Sequence, residues 1–326
     1  MSAPDNWGPM AGLATTIPEE RRALPECDTP LLEAGRLLRR RGYAFTTITP
    51  ASHSRVLAHR PDAEARSLRD VFGWSLPFRP ELVGQELFEL LAPEWLRQDG
   101  TLWRSSVRFS SLGTLLAVHS AYPTTTGDAV FFGPDTYRFC ALLERTVDRA
   151  DTVVDVGCGS GVGGLVLAGR ARRVLLSDPN GRATRFAQVN VELAGADNAE
   201  VHQGAFLDAV TSSPDVVVAN PPYLVDPAER QYRHGGGPLG TDIAERIARE
   251  ALARLRPGGL LVLYTGSPIL DGVDPFRRTM ERLVEESCTT AEIAEMDPDV
   301  FGEELESPVY AGVDRIALLS IVARRR

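Results

Sequence analysis

Two short segments carry most of the chemical potential of this chain. In the first, Val153-Val154-Asp155-Val156 runs directly into Gly157-Cys158-Gly159-Ser160-Gly161, and a helical pattern follows. Glycines allow a tight strand-to-helix turn and let a ligand approach the backbone, while the helix N-terminus offers unpaired N–H groups. Gly159-Ser160-Gly161-Val162-Gly163-Gly164 satisfies G-x-G-x-x-G, so a dinucleotide cofactor is one reading. Asp155, just ahead of the first glycine, speaks for another. A pyrophosphate gains nothing from a carboxylate there, whereas a ligand with a cationic amino-acid end does. In the second segment a strand, Asp215–Ala219, delivers Asn220-Pro221-Pro222-Tyr223, a loop that two prolines stiffen. Solvated acids at strand ends and an ordinary rigid turn are the bland alternatives.

The order Asp-x-Gly-x-Gly-x-Gly over Asp155–Gly161 resembles the first motif of class I S-adenosylmethionine-dependent methyltransferases. Asn220–Tyr223 is similar to the (Asn/Asp/Ser)-Pro-Pro-(Tyr/Phe/Trp) signature of members that methylate planar, conjugated nitrogen. The resemblance implies S-adenosyl-L-methionine as cofactor. It places Gly157, Cys158, Gly159 and Gly161 against the methionine and ribose, and gives Asp155 the amino-acid end. Asp178, followed by Pro179 at the end of the second strand, would take the ribose hydroxyls. Many relatives carry an acid for adenine where this chain has Ala205, so adenine recognition falls to backbone groups and an apolar wall such as Phe206, or to Asp208. The Asn220 side-chain oxygen and the Pro221 carbonyl would accept hydrogen bonds from the acceptor N–H groups. They would hold the nitrogen in line and stabilise the charge it acquires. With Pro222 rigidifying the loop, Tyr223 would stack on the flat acceptor. No strong general base is required, because the proton becomes acidic as the methyl arrives.

Phe131-Phe132-Gly133-Pro134-Asp135-Thr136 and Gly235–Asp242 are similar to segments of the HemK/PrmC protein-glutamine methyltransferases. Gly133 and Tyr137 replace an arginine and a glutamate of that pattern, and residues 1–120 do not share the family's helical substrate-binding domain. A protein acceptor, with a glutamine amide as the target, is therefore the favoured implication. An RNA or DNA base (an adenine or guanine exocyclic amine), a small-molecule acceptor and a non-enzymatic cofactor-binding protein are the alternatives.

These residues need a parallel sheet to bring them together. Past a turn-rich boundary at Tyr122–Gly127, strands at Thr152–Val156, Arg173–Ser177, Glu200–Gln203, Asp215–Ala219, Gly259–Tyr264, Thr290–Glu295 and Arg315–Val322 alternate with helices at Asp135–Arg149, Gly161–Gly169, Ala183–Ala194, Asp242–Leu255 and Asp274–Glu286. That alternation predicts an α/β, Rossmann-like, seven-stranded methyltransferase sheet over 121–326. Residues 1–120 read as a smaller helical and winged-helix-like unit. One helix follows Asp28-Thr29-Pro30, another opens at Pro80-Glu81, and a β-hairpin runs from Trp103 to Val118 about Gly113.

The chain has 326 residues, no lysine and a net charge of −9, and residues 1–120 balance 14 arginines against 14 acids. The surplus acid in 121–326 favours a protein partner over nucleic-acid phosphates. Arg39-Arg40-Arg41 could touch phosphate, but at a helix end it more simply complements the macrodipole. No apolar run is long enough for a bilayer. The first 25 residues show no signal peptide, and the four scattered cysteines and five histidines suggest neither a metal nor a disulfide framework. A reducing cytoplasm is the expected compartment.

Overall fold

Apolar strands that alternate with amphipathic helices must pack as a sheet covered on both faces. The computed structural model, which describes residues 27–60, 63–208 and 210–326, contains that sheet. The signal-peptide reading and the first 26 residues of the N-terminal unit lie outside the described residues.

Helix α1 (Thr29–Arg40) starts where the sequence places it: the Asp28 carboxylate accepts from the Leu31 N–H at 3.0 Å, with Pro30 in the first turn. There follow α2 (Pro50–Ala58), α3 (Leu68–Phe72), α4 (Pro80–Val83) and α5 (Gln85–Leu91). The short α2 and α3, not foreseen from periodicity, are capped by the Thr49 and Ser67 hydroxyls. Two antiparallel ribbons come next, β1 (Leu96–Asp99) with β2 (Leu102–Ser105) and β3 (Val107–Leu112) with β4 (Leu115–Ser120). The single hairpin expected from Trp103 is thus corrected. Ser106 donates to the Trp95 carbonyl through its N–H (2.8 Å) and its hydroxyl (3.0 Å), breaking the chain between the ribbons. Of the arginine cluster, Arg39 and Arg41 donate to the carbonyls of Leu193 and Val83, both at 2.8 Å.

The second part runs α6 (Pro134–Thr146), β5 (Ala150–Val156), α7 (Val162–Leu165), β6 (Ala171–Asp178), α8 (Gly181–Ala194), β7 (Ala199–Gln203), β8 (Val216–Ala219), α9 (Asp242–Arg254), β9 (Leu260–Leu270), α10 (Pro275–Ser287), β10 (Cys288–Asp297) and β11 (Val313–Arg325). The seven strands are ordered β10-β11-β9-β8-β5-β6-β7; β7, β6, β5, β8 and β9 are parallel, β11 runs antiparallel to both its neighbours, and β10 therefore points the same way as the first five. All seven predicted strands are present, β9 and β11 longer than read. The predicted helix Gly161–Gly169 is shorter: α7 is a single turn, followed by a 3-10 turn at Ala168–Arg170. Gly161, Gly163, Gly164 and Gly169 give this stretch too little helix propensity to propagate.

Helix α8 joins the two parts. Its Ala183, Phe186, Val189 and Leu193 lie in one apolar cluster with Leu31, Leu38, Phe72 and Phe109 of the N-terminal unit. Its Arg185 pairs with Asp28 and Glu94. Fully buried Asn190 accepts from the Val118 N–H at 2.8 Å and donates to the carbonyls of Val118 (3.0 Å) and Ser160 (2.8 Å). One carboxamide thereby ties β4 to the glycine turn. Asn190→Leu strands three buried backbone groups, and we expect it to cost about 2–4 kcal/mol in denaturant unfolding. An unchanged midpoint would show that the contact is dispensable.

Candidate active site

Strand β5 sits where the strand order reverses, its neighbours β6 and β8 being followed by connections that leave in opposite directions. A crevice forms beyond the carboxyl ends of strands at such a point. A cavity of about 430 Å³ lies there, lined by Asp155, Gly157, Cys158, Gly159, Asp178, Pro179, Ala205, Phe206 and all of Asn220–Tyr223. That volume suits a small-molecule site. Four strand ends, remote in sequence, therefore deliver the residues singled out above to one rim.

The turn after β5 needs the left-handed conformations of Gly157 (φ 67°) and Gly159 (φ 55°). It is tied to β6: the N–H groups of Gly157 and Cys158 donate to the Ser177 carbonyl at 2.8 and 3.1 Å. Gly161 is the exception among the predicted cofactor residues. It does not line the cavity; a Cβ there would lie 3.0 Å from Leu176 and 3.2 Å from Ala187. This glycine serves the packing of the turn against β6 and α8.

Asp155 is 2% exposed, and its Oδ2 accepts from the Gly164 N–H at 2.7 Å. Burial pushes its carboxyl up to about 7; the Gly164 bond opposes the rise and the charge of Asp178 adds to it. A cationic group brought alongside would favour the ionised form. Asp178 is buried as well, which raises its carboxyl. Its two oxygens accept one N–H each, from Gly159 and Asn180 at 2.9 Å, leaving lone pairs for a diol. Phe206 takes a left-handed backbone (φ 50°), and Arg246 of α9 stacks 3.7 Å from its ring centroid. The apolar wall beside Ala205 is thus backed by a cation that the sequence did not suggest.

Among the described residues, neither the half-buried Asn220 carboxamide nor the Pro221 carbonyl has a hydrogen-bond partner. Tyr223 is held more firmly than a stacking platform requires. Its hydroxyl donates to Asp135 Oδ2 at 2.6 Å, while Tyr264 of β9 donates to Asp135 Oδ1 at 3.0 Å. Its ring lies on Gly266, where a Cβ would come within 2.2 Å. One side of the ring is therefore occupied by β9 as the residue lines the cavity. The glycine run fits the same logic of close approach: a Cβ at Gly235 would lie 2.7 Å from the Pro222 carbonyl, and one at Gly240 2.6 Å from the Tyr223 carbonyl. We expect Tyr223→Phe, which leaves a buried carboxylate short of a donor, to cost about 1.5–3 kcal/mol in thermal unfolding. Cofactor affinity should stay within about twofold, Asp155 and Asp178 being untouched. Intact stability would show that Asp135 does not position this loop.

Two loops roof the cavity. Phe131 stacks on Tyr232 (centroids 5.9 Å apart, planes at 13°), the Tyr232 hydroxyl donates to the Thr124 carbonyl at 2.7 Å, and the Gln231 N–H to Gly127 at 3.1 Å. Asp226 anchors Arg230 and His234, and no group of His, Cys, Asp and Glu suited to a metal occurs among the described residues. Among those residues no helix is long and apolar enough to cross a membrane. Sequence reasoning missed Asp135 as a site residue, as well as Tyr264, Arg246 and the roof. Asp135 had a signal, the Pro134-Asp135-Thr136 segment, but its two tyrosine partners lie 88 and 129 residues away.

The profile of the methyltransferase small domain matches residues 138–292. The release factor glutamine methyltransferase of Moorella thermoacetica is 32% identical over 241 residues, covering 64% of this chain and 79% of that protein. That of Deinococcus radiodurans is 33% identical over 195 residues, 56% of this chain and 66% of the relative. The ribosomal protein L11 methyltransferase of Alkaliphilus metalliredigens is 43% identical over 89 residues, and the chain spans only 28% of its length. With the strand order, the glycine turn and the Asn-Pro-Pro-Tyr loop in their expected places, the chain belongs to the small-domain, HemK/PrmC-like family of class I methyltransferases, whose cofactor is S-adenosyl-L-methionine.

Proposed function

We propose that this protein is an N-methyltransferase that acts on a planar amide nitrogen of a protein, a glutamine side chain being the acceptor. The carrying observation is the Asn220 carboxamide and Pro221 carbonyl, unpartnered among the described residues, on a cavity that the Asp155 and Asp178 carboxylates also line. A primary amide has two N–H groups and a delocalised lone pair, and two fixed acceptors complement both features.

The residues present fit the cofactor. Asp155 meets a cationic amino group, Asp178 accepts from a ribose diol, and Ala205 with the Arg246-backed Phe206 forms a flat apolar wall. When bound, the cofactor supplies a methyl group on a sulfonium, an electrophile. Asn220 and Pro221 would hold the acceptor nitrogen so that its lone pair points at the methyl group that the bound cofactor would supply. The two carbonyl oxygens would stabilise the positive charge that develops on the N–H groups, and the proton would then leave to water. Tyr223, fixed by Asp135 and Gly266, keeps the loop from moving as this charge develops.

The relatives above are named for a ribosomal protein and for a release factor glutamine, which supports a protein acceptor. So does the pairing of the roof arginines: Arg230 and Arg233 are bonded to Asp226 and Glu304 rather than free for phosphates. The free thiols of Cys27, Cys140, Cys158 and Cys288 accord with a cytoplasmic setting. Transfer of labelled methyl from the cofactor into a lysate tests the proposal. Label removed by protease and recovered as N-methylglutamine is the expected result; label removed by nuclease would overturn it.

A further inference from the structure

Arg108 on β3 is 4% exposed, yet it makes no ion pair among the described residues. Among those residues its side chain makes one hydrogen bond, a long one of 3.4 Å to Thr47 Oγ1, and its Nε has no partner. The hydroxyl chain beside it is already committed. Burial, with the Arg108 charge second, holds the His119 imidazole well below its usual range, so the ring is neutral. Its Nδ1–H donates to the Ser120 carbonyl at 3.0 Å, and its Nε2 accepts from Ser110 at 2.7 Å. Ser110 in turn accepts from Thr47, which leaves the Thr47 oxygen facing Arg108. Phe45 offers only a ring face, 5.3 Å from the guanidinium. A buried guanidinium with so little compensation is costly unless something anionic reaches it.

A recess of about 10 Å³ adjoins Arg108 and shares Pro50, Tyr122, Thr124 and Phe131 with the wall of the main cavity. We infer that Arg108 and its recess form an anion subsite that takes a carboxylate borne by the methyl acceptor. The space admits one oxygen-sized atom, which suits one arm of a carboxylate and not a phosphate with its three further oxygens. The carboxylate comes either from the acceptor residue itself or from an acidic neighbour in a peptide. The subsite would then select a glutamine amide flanked by negative charge.

The first arm needs no acceptor and therefore does not depend on the amide-methylation reading. Sodium formate is titrated into the full-length protein at constant ionic strength while the Arg108 Nε–H resonance is followed, with Arg108→Met to assign it. A saturable shift with formate, larger than with chloride, is expected. No shift, or an equal one with chloride, would overturn the subsite. The second arm compares N-acetylglutamine with a Gln-Asp and a Gln-Asn peptide, both peptides acetylated at the N-terminus and amidated at the C-terminus, as acceptors. In Arg108→Met and Arg108→Gln, whose folding is verified by unchanged cofactor affinity, KM for an acid-bearing acceptor should rise about 10–100-fold with kcat within about twofold. KM for the Gln-Asn peptide should not move. Which acid-bearing acceptor responds identifies the source of the carboxylate, and a uniform change in all three would show a merely structural Arg108.

Discussion

Asn220→Ala lowers kcat for methyl transfer by about 10²–10³-fold while the Kd for S-adenosyl-L-methionine stays within about threefold. The magnitude is that of removing one preorganised acceptor from a charge-developing transition state. The direction follows from geometry: among the described residues the carboxamide has no partner and lines the cavity, and in the proposed function it meets the acceptor, whereas the carboxylates proposed for the cofactor lie on β5 and β6. Pro221 keeps its carbonyl in the variant, so residual activity is expected. Asn220→Asp should retain more activity than Asn220→Ala, an oxygen acceptor surviving. Calorimetry and single-turnover kinetics separate the two quantities. Loss of cofactor binding in Asn220→Ala would remove the residue from the acceptor side.

Asp155→Asn should weaken cofactor binding about 10–100-fold at pH 8 and abolish the pH dependence of that binding. The amide oxygen can still accept from Gly164 N–H, so the turn survives and only the charge is lost. In the wild type the carboxyl titrates at about 7, mainly because it is buried. A cationic amino end binds the ionised form, so affinity falls about tenfold as pH drops from 8 to 6 and a proton is taken up. Stability runs in the opposite sense. The folded-state value lies above that of the unfolded chain, so the ligand-free protein holds this contribution in full below about pH 4 and loses it as pH rises to about 7. Ligand-free Asp155→Asn should therefore melt no lower than wild type at pH 8 while binding cofactor worse. Affinity in the wild type that is flat between pH 6 and 8 would show that Asp155 does not meet a cation.

Much of the site was legible because its chemistry is local. A strand feeding glycines, with an acid just ahead of them, has few uses, and the backbone of such a turn is dictated by a handful of consecutive residues. The same holds for Asn220–Tyr223 and for the Asp28 cap. The fold was legible for a related reason: buried parallel strands read as apolar runs, and right-handed crossovers leave few orders for them. Gly161 shows the limit of local reading, since whether a glycine faces ligand or packs against Leu176 depends on how closely α8 approaches.

Local chain chemistry, then, determined the strand-end motifs, the α/β architecture and the kind of ligand the crevice can hold. Tertiary structure alone decided what surrounds them: Asp135 between two tyrosines distant in sequence, Arg246 behind Phe206, the roof closed by Phe131 on Tyr232, and Arg108 buried without a counter-ion among the described residues. The physical reason is range. Turn geometry and capping act over a few residues, whereas burial, and with it every shifted carboxyl and uncompensated charge, is a property of segments that meet only when the sheet and α8 have packed.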